Sequence, residues 1–263
     1  MGKYHAILFD MDGTLLDTLT DMQDAVNHVL AAHGLPLRTL EEVRRFVGNG
    51  AGPLIHRALP EGYPQEQKVL AEYRAYYQAH NCIRTCPYPG IPELLERLEV
   101  GLLVLPDVEE DDPLRREITA LAEEKGIETL FLAEDADVTF GESALRIYAP
   151  LGSGGANEEG LSVLCTAGDF DGLITGDMND TVEKRLIKYG SLPDLELLVA
   201  GHHGSKYATS EELLLATRPE LAVISVGYNT YGHPAPEPLE RLAAAGCAIY
   251  RTDWSGTVTI TAK

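Results

Sequence analysis

The chain has 263 residues, 44% of them apolar and 24% charged, the proportions of an ordinary globular protein with room for one large α/β domain or two modest ones. Its 41 acidic residues against 21 basic ones give a net charge of −20, which repels phosphate backbones and argues against a general nucleic-acid binder. No apolar run approaches a membrane span, no secretory leader is expected at Met1-Gly2-Lys3-Tyr4, and four cysteines are few for a disulfide scaffold. Incidental thiols in a reducing, cytoplasmic compartment follow as the expectation.

Residues 4–9, Tyr-His-Ala-Ile-Leu-Phe, read as a buried first strand ending in Asp10-Met11-Asp12-Gly13-Thr14. That spacing carries chemistry. Asp10 can attack a phosphoryl group, and Asp12 can protonate the leaving oxygen and then activate water. Gly13 permits the tight turn, Thr14 supplies a hydroxyl to substrate, and Mg²⁺ held by Asp10 and Asp12 would neutralise the transferring group.

A helical stretch follows. Leu19, Met22, Val26, Val29 and Leu30 recur at helical spacing, and Gly34 closes that helix. Thr39 with Glu42 forms a capping box opening the next, with Val43, Phe46 and Val47 on its apolar face. Residues 64–80 give a third helix and 92–98 a short one. His28, His33, His56 and His80 read as helix-surface histidines.

Taken together, residues 4–98 resemble the haloacid-dehalogenase superfamily, in its phosphoglycolate-phosphatase-like branch. Beyond Asp10–Thr14, the run Phe46-Val47-Gly48-Asn49-Gly50-Ala51 resembles the substrate-facing loop of that branch's helical cap, and Pro87-Tyr88-Pro89-Gly90-Ile91 the return to the core. The resemblance implies a cap at about 17–86, substrate contacts from Asn49 and Gly50, and a small phosphorylated substrate. It stops near Glu99. Residues 102–107 then end a strand in Pro-Asp where the family places a phosphate-holding hydroxyl, and no lysine lies between Lys125 and Lys184. Gly176-Asp177 with Asp180 is the one later element with a match.

The second half runs from an acidic loop at 107–112 through a helix at 113–125, whose inner face is Ile118, Leu121 and Ala122. Strands are expected at 129–132, 145–148, 161–166, 173–175, 195–200, 221–226, 247–251 and 256–261, and helices at 181–189, 209–217 and 238–245. Gly152-Ser153-Gly154-Gly155 is a flexible connection without the Gly-Lys-Ser/Thr ending of a nucleotide loop. Asp177 follows an apolar strand, where open α/β sheets collect ligands. About one α/β unit later comes Gly201-His202-His203-Gly204-Ser205. Imidazoles on a glycine-flanked loop suit Zn²⁺ or Mn²⁺, and a solvent-facing loop of two neutral histidines is the plain alternative.

Residues 101–261 resemble the later part of the metallo-β-lactamase-fold domain of ComEC-type competence proteins. The matching pieces are Asn157 to Ser162, Leu173–Asp177, His202–Ser205, Ser225-Val226-Gly227 and Asn229–Pro234. The resemblance implies Asp177 as a bridging metal ligand, His202 or His203 as a ligand, His233 near the metal or the scissile phosphate, and Ser205 against substrate. That family also carries an earlier His-x-His-x-Asp-His cluster. Among the eight histidines here only His202 and His203 lie within four residues of each other.

The expected architecture is therefore α/β: a truncated HAD-like first strand with a helical cap (residues 1–99) joined to a partial metallo-β-lactamase-like αββα half (residues 100–263). The expected function is a metal-dependent hydrolase of phosphoester bonds, impaired, with low metal occupancy (Mg²⁺ in the first part or Zn²⁺/Mn²⁺ in the second). The alternatives are a non-catalytic fusion or gene-joining artefact, and a HAD-type phosphatase using Asp10 and Asp12 with Asp177 and Asp180.

Overall fold

The structure is a computed structural model and describes residues 7–9, 13–47, 50–108, 113–152, 159–227, 229 and 232–261. The chain divides into two compact units, one of residues 1–103 with 109–130, the other of 104–108 with 131–263. Asp10, Asp12, Asn49 and Asn157 lie outside the described residues.

In the first unit, strand β1 (Leu16–Asp17) leads into helices α1 (Leu19–Ala32), α2 (Leu40–Phe46), α3 (Ala51–Ala58) and α4 (Glu66–His80), then strand β2 (Cys86–Pro87) and helix α5 (Ile91–Leu95). β1 and β2 pair antiparallel, Leu16 opposite Pro87. Ala25, Val26, Val29 and Leu30 of α1 bury against Val43, Leu54, Ile55, Val69 and Tyr73, so the apolar stripes read from spacing do meet in one core. The capping box forms: the Thr39 side chain accepts from the Glu42 N–H, and Glu42 reaches back to the Thr39 N–H. Buried Asp21 accepts the N–H groups of Ile83, Arg84 and Thr85, tying the chain after α4 to α1.

Two expectations change here. Ile7, Leu8 and Phe9 are in no strand and stand 41–49% exposed, since no neighbouring strand among the described residues covers them. His33 is not a surface histidine. Its side chain is 9% exposed, with Nε2 2.6 Å from a Glu72 carboxylate oxygen and Nδ1 3.0 Å from the Tyr63 hydroxyl.

Strands β3 (Leu102–Pro106) and β4 (Glu128–Leu132) form a two-stranded sheet, with helix α6 (Pro113–Glu124) between them in sequence. Ala122 of α6 is buried, but Leu121 is 48% exposed rather than on the inner face.

The second unit is built on a seven-stranded sheet of β5 (Ala136–Phe140), β6 (Ser143–Tyr148), β7 (Ser162–Ala167), β8 (Phe170–Ile174), β9 (Leu197–Val199), β10 (Leu221–Ile224) and β11 (Ala248–Arg251), in the spatial order β11-β10-β9-β8-β7-β6-β5. β5 to β8 run antiparallel as hairpins, whereas β8 to β11 are parallel. Parallel neighbours need crossovers. Helices α7 (Asp180–Tyr189), α8 (Glu211–Thr217) and α9 (Pro236–Ala244) supply them, separated from β9 and β10 by a short 3₁₀ turn (Gly201–Gly204) and a loop. Leu173, Leu198 and Ala222 stand side by side across β8, β9 and β10, fully buried in one core with Val182, Leu186, Leu213 and Leu242 of the three helices. On the opposite face, paired Ile147 and Val163 bury with Leu132 and Ala149.

β5 was not anticipated. The two-residue Gly141-Glu142 loop, with Gly141 at φ 63°, is the hairpin signal that marks it. The strand expected at 256–261 is absent. Helix α10 (Thr252–Ser255) ends β11, because the Thr252 hydroxyl is taken by the N–H and carbonyl of Val226.

Candidate functional site

The site gathers at the carboxyl ends of three adjacent parallel strands. Asp177 follows β8, the Gly201–Gly204 turn follows β9, and Ser225 follows β10. Such ends of an open α/β sheet are where ligands bind, because each strand delivers a loop to the same edge.

Each loop is tightly specified. Gly176 (φ 64°) bends the chain so that its carbonyl accepts the His202 N–H at 3.0 Å, joining the first loop to the second. Asn179 then caps α7, its side chain accepting from the N–H groups of Thr181 and Val182. In the 3₁₀ turn His202 and His203 both sit in the left-handed region (φ 48° and 54°). That conformation is uncommon outside glycine and is kept only where surroundings enforce it. The flanking glycines serve packing as well as bending. A Cβ on Gly201 would meet Thr175 Oγ1 at 3.0 Å, and one on Gly204 would meet the Pro234 Cβ at 2.5 Å. In the third loop, Asn229 accepts the His233 N–H at 3.0 Å and donates to the His233 carbonyl at 2.7 Å.

Asp177 lies between two imidazoles. His202 Nε2 is 3.9 Å from its Oδ2 and His203 Nε2 is 3.8 Å from its Oδ1. His203 Nδ1 is 2.8 Å from the carbonyl oxygen of Ser225. A carbonyl only accepts, so Nδ1 carries the proton. In the neutral ring Nε2 then presents a lone pair toward a carboxylate, an arrangement favourable only when a positive charge joins them. A proton on Nε2 or a cation between the two groups supplies it. Backbone-anchored Nδ1–H with Nε2 facing outward is also how a metal-ligating histidine is oriented.

His233 packs beside His202, ring centroids 5.7 Å apart, and is 7% exposed. Burial, reinforced by His202 and His203, pushes its pKa down from the usual 6.5 to about 4, so it is neutral at pH 7.

By donor chemistry, a carboxylate and two imidazoles fit a divalent transition metal. By number they do not make a closed site: among the described residues no group of three or more His, Cys, Asp or Glu is arranged to hold an ion. Of the other expected site residues, Ser205 is fully buried, its hydroxyl accepting the Tyr207 N–H at 3.4 Å. Thr14 lies in an exposed turn and Gly50 opens α3 at φ 85°. Ser225 and Asn229 stand in matching pieces of the second resemblance but were given no role there, and the buried Glu183 was not anticipated.

Residues 7–105 match the family model described as haloacid dehalogenase-like hydrolase. The N-acetylmuramic acid 6-phosphate phosphatase of Pseudomonas aeruginosa is 41% identical over 104 residues, 39% of this chain and 46% of that protein. ComE operon protein 3 of Bacillus subtilis is 27% identical over 168 residues, 63% of this chain and 22% of that protein. Competence protein ComA of Neisseria gonorrhoeae is 43% identical over 88 residues, 33% of this chain and 13% of that protein. The chain thus spans less than half the length of each of these relatives. It is a composite: a HAD-like segment at the N-terminus together with similarity to ComEC-type competence proteins.

Proposed function

We propose that the chain is a phosphoester hydrolase of low turnover whose working centre is Asp177 with His202 and His203. The observation that carries this reading is the fixed tautomer of His203, which turns the Nε2 lone pair toward Asp177 and makes the pair a receptor for one positive charge. A divalent cation such as Zn²⁺ or Mn²⁺ would be met there by Asp177 and His203, with His202 beside them, and would draw its remaining donors from substrate or water, since no three of these groups are arranged to hold it alone. When bound, that ion supplies Lewis-acid stabilisation of a phosphoryl oxygen.

The protein's own groups contribute orientation. Ser225 holds the His203 ring through its carbonyl, Gly176 holds the His202 backbone, and Asn229 holds the backbone of His233. Neutral His233 adds no charge of its own, so compensation for the negative charge of a phosphoester is small. Charge compensation is commonly the largest catalytic contribution, and a centre short of it is slow. Low turnover follows.

Hydrolysis of bis(p-nitrophenyl) phosphate in Mn²⁺ tests this. The expected result is slow turnover abolished by Asp177→Asn and by His203→Gln. Turnover that survives both substitutions would remove the centre from this place in the fold.

A further inference from the structure

Among the described residues of the second unit, the most heavily buried acid is Glu183, with no exposed surface, in the first turn of α7. A carboxylate taken out of water costs free energy unless its oxygens are hydrogen-bonded. Here Oε1 accepts the Thr209 N–H at 2.5 Å and Oε2 accepts the Ser210 N–H at 2.8 Å. The acid thereby also holds the cap of α8, since Ser210, whose hydroxyl accepts the Leu213 N–H, is tied to Glu183 through its N–H and its side chain.

The carboxylate's other oxygen fixes Thr209. This residue is β-branched yet sits in the left-handed region at φ 56°, a true outlier for its type. All its polar groups are engaged. Its N–H goes to Glu183, its carbonyl accepts the Arg241 guanidinium at 2.8 Å, and its hydroxyl accepts the Gly201 N–H at 3.1 Å. Gly201 is the first residue of the histidine turn, directly before His202. Arg241 also donates to the Ala208 carbonyl, so the segment is gripped from both sides. α7, which starts just after Asp177, makes a further tie through the Asp180 N–H to the Tyr207 carbonyl at 2.7 Å.

We infer that Glu183 and Thr209 are positioning residues for the proposed centre, a relay that sets the His202–His203 turn at its distance from Asp177. This deepens the functional reading above and rests on it. The relay runs from a rigid helix through one strained threonine to the backbone of the turn, and none of its members reaches the site itself.

The test compares Thr209→Val, which keeps the shape and loses the hydroxyl acceptor, with Thr209→Ser, which keeps the acceptor, and with Glu183→Gln, which presents an amide donor to one of two N–H groups. All are made in the full chain. The first readout is Zn²⁺ affinity by competition with a chromophoric chelator. Orienting partners of metal ligands are typically worth about 10–100-fold in affinity, so Thr209→Val and Glu183→Gln are expected to lose that much and Thr209→Ser to restore wild-type binding. The second readout needs no metal: the slowly exchanging Nδ1 proton of His203 in ¹H–¹⁵N spectra, expected in wild type and Thr209→Ser and lost in the other two. Wild-type Zn²⁺ affinity and a retained Nδ1 proton in Thr209→Val, with only the melting temperature lowered, would overturn the proposal. Absence of Zn²⁺ binding in the wild type would sink the functional reading alone, and the proton signal would then decide the relay. If Glu183→Gln does not fold, the Thr209 pair carries the decision.

Discussion

His203 Nδ1 sits 2.8 Å from the Ser225 carbonyl oxygen, and the opposite ring nitrogen faces Asp177 at 3.8 Å. One backbone hydrogen bond thus decides which atom of the ring is available to the site. In long-range ¹H–¹⁵N spectra the neutral ring of His203 is expected as the Nδ1–H tautomer, with Zn²⁺ shifting Nε2 and leaving Nδ1 protonated. A proton on Nε2 in the neutral ring would contradict the assignment.

Gly204 is the stiffest point of the turn, at φ 80° with Pro234 closing the space where a side chain would go. Gly204→Ala combines left-handed strain with overpacking, and each effect costs about 1–3 kcal/mol. The variant is expected to lower the stability of the second unit by about 3 kcal/mol in urea unfolding and to weaken Zn²⁺ binding. A loss below about 0.5 kcal/mol would mean that the turn opens without cost.

Buried His233 makes stability depend on pH. Its folded pKa of about 4 lies below the ordinary 6.5, so between these values the unfolded chain binds a proton that the folded chain refuses. Stability therefore falls as pH drops through that window and levels off below it. At about 1.36 kcal/mol per pKa unit the loss approaches about 3 kcal/mol. Urea unfolding at pH 7, 5.5 and 4.5 should show this slope in wild type and a shallower one in His233→Gln. Equal slopes would remove His233 from the account.

The HAD-like segment is expected to show little phosphoglycolate phosphatase activity. An aspartate nucleophile facing a phosphate dianion needs compensating charge. β3 ends in Pro106-Asp107 without a hydroxyl, and Lys125 is followed by no lysine until Lys184. Losing one such electrostatic contact costs about 10²–10³ in rate. Mg²⁺-dependent turnover at the rate of an intact phosphatase, abolished by Asp10→Asn, would refute this.

Much of the fold was legible because its signals are local. The Thr39–Glu42 box, the stripe through Val26 and Leu30, and the glycine-flanked His202-His203 pair after an apolar strand each sit within one turn or loop. What escaped depends on distant partners. Glu183 reads as one more charged residue in Thr-Val-Glu-Lys-Arg, and only the approach of Thr209 and Ser210 makes it buried. His33 looks like a surface histidine until Glu72, 39 residues on, reaches it. Leu121 fits an apolar helix face by spacing, yet it is half exposed because spacing does not tell how wide the covered stripe is. The tautomer of His203 was out of reach for the same reason: its anchor is the backbone carbonyl of Ser225, just past the next strand and invisible to residue type.

Equilibrium dialysis against Zn²⁺ tests the central claim most directly, that Asp177, His202 and His203 form one centre open on the remaining side. A one-sided site of a carboxylate and imidazole, not closed by three protein donors, predicts at most a single ion per chain, held more weakly than about 1 μM and lost in Asp177→Asn. Two tightly held ions per chain, or binding indifferent to Asp177→Asn, would contradict it.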